Sequence, residues 1–168
     1  MRYALGQNSG GVATEEPHTS NTGAGVVGAK EIPYDYVATF KLKGERGERV
    51  QDVITISTEG IFVAVSVGYS FVPAAETAAG STGPAAGIQF LYTIVDSGSG
   101  RELQNKAVHN IAGLGAADGG RPFRPFARPV QFVPRATIRI EVEELSKEEF
   151  FKNGTLFIVL HGYKRLGE

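Results

Sequence analysis

YDYVATFKLKGERGERVQDVITISTEGIFVAVSVGYSF, residues 34–71, holds three runs of alternating character separated by two turns. In the first run Tyr36, Ala38, Phe40 and Leu42 share one face, and Val37, Thr39, Lys41 and Lys43 the other. Successive side chains of a strand point to opposite faces, so this period of two marks a half-buried strand. GERGE turns the chain, RVQDVITIS returns rich in β-branched residues, and TEG at 58–60 is a tight turn. In IFVAVSVGYSF the alternation places Ile61, Val63, Val65, Val67 and Tyr69 together. Phe62, Ala64, Ser66 and Gly68 fall on the opposite, mostly small side.

The texture continues downstream. AAETAAGSTGPAAG, 74–87, is a loop of small residues longer than a hairpin needs. IQFLYTIVD resumes a strand and SGSG turns it. RELQNKAVHNIAGLG, 101–115, could be helical by composition, but the surrounding rhythm of strand and turn favours a strand. In ATIRIEVEE, Ile138, Ile140 and Val142 point inward and Arg139, Glu141 and Glu143 outward. LSKEEFFKN has room for one helical turn, and LFIVLHGYKRL is the closing strand. Seven or eight strands without an amphipathic helix predict an all-β chain, a single antiparallel β-sandwich or jelly-roll-like domain. Strands are expected over most of 36–43, 50–57, 61–70, 88–95, 136–143 and 155–163, with helix below about a fifth of the residues.

Residues 1–31 differ from the rest. They are rich in Gly, Ser, Thr and Asn, with too few apolar residues to bury enough surface against the entropy of ordering. They read as an extended N-terminal arm laid on a neighbouring subunit, with Arg2, Tyr3 and Leu5 as contacts, or alternatively as an arm folded back on its own domain, and residues 32–168 read as the sandwich domain.

Composition excludes several classes. The chain has 168 residues, 42% hydrophobic and 21% charged, which suits one domain with a core. A net charge of −1 supplies no general field for nucleic acid or an acidic membrane. The absence of cysteine removes disulfides, thiolate metal sites and a cysteine nucleophile. Apolar runs are strand-sized and the N-terminus has no signal-like apolar core, so the expectation is a soluble chain that is not secreted by that route.

The motifs do not assemble a catalytic centre. GAGVVG at 23–28 matches a dinucleotide fingerprint but lies in the arm, with no strand before it or helix after it. His18, His109 and His161 lack metal-ligand spacing, and His161 reads as a partly buried strand residue. Glu141, Glu143, Glu144, Glu148 and Glu149 read as the outer face of one strand plus a solvated turn, not as carboxylates opposed across a cleft. No G-x-S-x-G elbow occurs, and NGT at 153–155 is a turn. The chain is therefore expected to be no enzyme and to carry no cofactor or metal.

RPFRPFARPVQFVPR, 121–135, is the segment to explain. Its prolines bias the backbone to an extended path, and Arg121, Arg124 and Arg128 interleave with Phe123 and Phe126. Arginine beside aromatics is an interface composition. The segment is expected to run along the edge or end of the sandwich as a subunit contact, with Phe132 turned inward. A plain connection between sheets and a nucleic-acid grip remain the alternatives; three arginines make a small electrostatic footprint.

The strand phrases of 32–71, SGRELQNKAVHNIAGLG, RPFRPFARPVQFVPRATIRIEVEE and LFIVLHGYKRLGE together resemble small β-rich virion proteins of tailed bacteriophages. The resemblance is one of texture and phrase over most of 30–168, and it transfers no functional residue. It implies a structural role in a capsid, neck or tail assembly. The partners would be copies of the chain and other virion proteins, without nucleic acid or membrane, in a virion assembled in the host cytoplasm. A ligand- or carbohydrate-binding sandwich module is the rival reading.

Overall fold

The computed structural model describes residues 29–74, 87–115 and 123–167. Its strands are β1 (Lys30–Lys41), β2 (Arg49–Thr55), β3 (Gly60–Val72), β4 (Phe90–Asp96), β5 (Arg101–Glu102), β6 (Val108–His109), β7 (Phe123–Phe132), β8 (Thr137–Glu144) and β9 (Thr155–Leu166). A five-residue helix, α1 (Asn110–Leu114), and a 3-10 turn at Glu149–Phe151 are the helical elements among the described residues.

Two antiparallel sheets form a β-sandwich. One has the order β1-β9-β3-β7, the other β2-β8-β4-β5, with β6 also paired to β4. The ends of the described chain meet, because β1 pairs β9 from Lys30↔Leu166 to Lys41↔Thr155. The prolines of β7 suit its edge position, since an outward-facing residue there needs no ladder donor.

The core lies between the sheets. Ala38, Phe40, Leu42, Phe71, Phe90, Ile94, Ile138, Ile140, Leu156, Ile158 and Leu160 are all at most 2% exposed. Each of the Leu, Ile and Phe side chains among them contributes about 1.5–3 kcal/mol by leaving water. The inward sets expected on β1 and β8 are the observed ones.

The face expected for β3 is corrected by a bulge between Ala64 and Ser66. Phe62 and Ala64 are buried, Val65 is 37% exposed, and Val67, Tyr69 and Phe71 are buried. A bulge inserts one residue and resets the phase of the strand, so the two halves present opposite parities to the core. Opposite the bulge, a Cβ on Gly162 would lie 2.0 Å from the Val63 carbonyl oxygen, so only glycine permits the approach of β9 to β3.

The single strand expected over 101–115 is instead two short pairings and α1. His109 caps the helix, its Nδ1 accepting from the Ile111 N–H at 3.4 Å. Asn110 is fully buried and satisfied: its amide donates to Tyr69 Oη at 3.0 Å and the Ile88 carbonyl at 2.9 Å, and its Oδ1 accepts from Phe90 N–H at 3.3 Å. These bonds hold the segment after β6 in place without a long strand. Glu144, expected outward, has no exposed surface.

Candidate assembly surface

The sequence directs attention to β7. Phe123 is 51% exposed, and Arg124 and Arg128 are exposed too. Neither arginine makes an ion pair with another described residue. Pro125 and Pro129 are exposed on the same strand. Phe126 and Val130 instead pack against the core, and Phe132 is 1% exposed, the inward residue that the alternation predicts. Arg121, Arg2, Tyr3 and Leu5, and the arm apart from its last residues, lie outside the described residues.

Beside β7 a groove of about 510 Å³ opens between the two sheets. Its walls include Val67, Leu103, Val108 and Phe126, with Tyr92, Gln104, Arg124 and Arg128 as polar members. Burial raises the Tyr92 phenol above its usual range, opposed by the charge of Arg124 and a hydrogen bond with Gln104. The groove therefore offers an apolar interior beside two guanidinium groups that pair with no other described residue. Such an arrangement suits a partner with an apolar side chain and a carboxylate.

On the outer side of the same sheet the Phe123 ring meets the His161 ring edge-on, with centroids 4.2 Å apart. His161 Nδ1 lies 3.0 Å from Asp35 Oδ1, and its Nε2 is buried without a hydrogen-bond partner. Asp35, His161 and Phe123 come from β1, β9 and β7, so a line of contacts crosses the sheet. Sequence reading missed this line, because it depends on the register of strands distant in the chain.

The opposite sheet is different in character. A shallow cleft of about 390 Å³ over β2, β8 and β4 includes Arg49, Gln51, Thr93, Glu141 and Glu143. Arg49 bridges Glu143 at 2.8 Å and Arg139 bridges Glu141 at 3.2 Å, so its charges are already paired with one another. Among the described residues no three His, Asp or Glu side chains group as metal ligands, and no helix is long and apolar enough to cross a membrane.

No family model matches the chain, and no curated protein does. Among solved structures, a protein from Sulfurospirillum deleyianum is similar at 8% identity and a TM-score of 0.41, over 77% of this chain and 98% of that one. The capsid asymmetric unit of cyanophage Pam1 is similar at 15% identity and 0.40, over 94% and 97%. The VP2 subviral particle of infectious bursal disease virus is similar at 14% identity and 0.36, over 83% of this chain and 38% of that chain. At these levels the functional reading rests on the chain's own residues.

Proposed function

We propose that the chain is a non-enzymatic structural subunit of a virion, of the kind tailed bacteriophages build, acting through contacts with copies of itself and with other virion proteins. The observation that carries the reading is the edge strand β7, where exposed Phe123 sits with Arg124 and Arg128, which make no ion pair with another described residue, on a proline-stiffened backbone. Proline restricts the free chain, so less entropy is lost on docking. An exposed arginine pair contributes only about 0–1 kcal/mol, so such a contact gains its effect from repetition across many copies and from partial burial. The phrase-level resemblance to phage virion proteins supports the same role. The glycine-rich composition of residues 1–31 suits an arm ordered by its neighbours.

The test is replacement of Arg121, Arg124 and Arg128 by serine in the full chain. Self-association followed by sedimentation velocity should weaken at least tenfold while the melting temperature of the monomer stays within about 2 °C. Unchanged association would overturn the role of the segment. Intact association with loss of DNA retention by the protein would assign the arginines to nucleic acid instead.

A further inference from the structure

The outer face of the β1-β9-β3-β7 sheet has a composition that its opposite number lacks. Paired positions run across it in rows. Val37, Val159, Gly68 and Phe123 form one row, and Asp35, His161, Ser66 and Pro125 the next. Thr39, Phe157 and Ser70 flank them on one side. Val37 is 48%, Val65 37% and Phe123 51% exposed. The one charged side chain in these rows, Asp35, is engaged by His161. Charges appear at the two ends of the face, as Lys41 and as the Glu31–Arg165 pair. The outer face of the other sheet carries Arg49, Arg139, Glu141, Glu143 and Glu102 across its middle.

The edges of the apolar sheet are guarded. Pro125 and Pro129 remove donors from β7, and Asp52 Oδ2 accepts from the Thr39 N–H of β1 at 2.8 Å. Strand addition at either edge is thereby discouraged, and among the described residues the broad face is left open to contact.

We infer that this face packs against the same face of a second copy of the chain, about a two-fold axis. Two features select that occupant. Four strands at about 4.8 Å spacing, with a length of about 40 Å for twelve residues, give a face of about 750 Å². A stable specific interface takes about 800 Å² from each partner. At the centre of the face the one charged side chain, Asp35, is held by His161 at 3.0 Å, so a two-fold that sets like against like brings no other like charges together there. A strongly charged partner would find no complement. Twisted sheets stacked this way cross at roughly 30°.

The inference rests on the assembly reading in naming a like copy as partner, and its test separates the two. The chain has no cysteine, so Val37→Cys places a single thiol on the face, and Val53→Cys, at a position 50% exposed on β2, is the control. Maleimide labelling of the full-length variants is followed across protein concentration, beside sedimentation equilibrium. The Val37→Cys thiol should label more slowly as concentration rises, at least tenfold at saturation, while Val53→Cys labels at a constant rate. Val159→Lys, which sets a charge in the middle of the face, should raise the dissociation constant at least a hundredfold. Rapid labelling of Val37→Cys in a chain that still associates would overturn the face contact and leave the assembly reading standing. Slow labelling at every concentration in a monomeric chain would also overturn it, by showing that the chain's own residues cover the face. A monomer that labels rapidly throughout would overturn both.

Discussion

Glu144 Oε2 accepts a hydrogen bond from the Gly44 backbone N–H at 3.1 Å, which ties the end of β8 to the turn between β1 and β2. The carboxyl has no exposed surface, and its Oε1 has no hydrogen-bond partner. Gly44 adopts φ +80°, a left-handed conformation that glycine tolerates, and Lys152 lies directly over it. The backbone of Glu144 joins the same turn, accepting from Gly47 N–H at 2.7 Å and donating to the Glu48 carbonyl at 2.9 Å.

Burial raises the Glu144 pKa from 4.5 to about 7, with repulsion from Glu48 and Glu148 adding to it and the Gly44 hydrogen bond opposing it. The folded chain thus holds a proton that the unfolded chain releases near pH 4.5. Wherever the folded state binds more protons, stability falls as pH rises, so the loss spans about pH 4.5 to 7 and levels off above. The total is on the order of 3 kcal/mol. Glu144→Gln should remove this slope and make the protein more stable than wild type at pH 8. Urea denaturation at pH 5 and pH 8 checks it, and an unchanged slope would assign the pH dependence to other groups.

Asn110 supports a second expectation. Asn110→Leu removes the partner of Phe90 N–H, the Ile88 carbonyl and Tyr69 Oη in a place without exposed surface. Buried groups left without partners cost about 1–3 kcal/mol each. A net loss of about 3 kcal/mol is expected in denaturant melts, with hydrogen exchange rising first around β6 and α1. A neutral outcome would mean that those groups find water or other partners.

β1 and β8 were legible because their alternation is unbroken and Tyr36, Ala38, Phe40, Ile138, Ile140 and Val142 differ sharply from their neighbours. The bulge was not. Val65 and Ser66 follow one another outside the core, and a β-branched valine reads as a core residue unless the phase reset is known. Glu144 also escaped, because a buried carboxyl breaks the rule by which surface glutamates are recognised. On the candidate surface, prolines and arginines announced an exposed edge, and Phe123, Arg124 and Arg128 are exposed on it. The inward turn of Phe126 and the Asp35–His161–Phe123 line depend on register between distant strands, which one sequence does not encode locally.

Gly162 marks where that register is tightest. A methyl group there would meet the Val63 carbonyl oxygen and the Ala64 Cα, both backbone atoms that cannot rotate away. Gly162→Ala should therefore force β9 from β3 at the bulge and destabilise the domain by about 1–3 kcal/mol. Thermal melts measure the loss. The amides of Val63 to Val67 should lose exchange protection before those of β8, and uniform loss would place the strain elsewhere.

Asp52 carries the last expectation. Its Oδ2 accepts from Thr39 N–H and its Oδ1 from Val53 N–H, both at 2.8 Å, so one carboxylate satisfies donors on the facing edges of both sheets. Thr39 lies on β1, and β2 is the edge strand of the other sheet. Asp52→Ala would leave the Thr39 N–H open and remove a negative charge from an edge that otherwise lacks proline between Tyr34 and Lys41. Losing an exposed bond of this kind should lower stability by only about 1 kcal/mol. The larger effect should be on association, since an open edge pairs with strands of other chains. Light scattering at 37 °C should show faster aggregation for Asp52→Ala than for Asp52→Asn, whose side-chain oxygen can still accept from Thr39. Equal rates for the two variants would show that the charge, not the hydrogen bond, guards the edge.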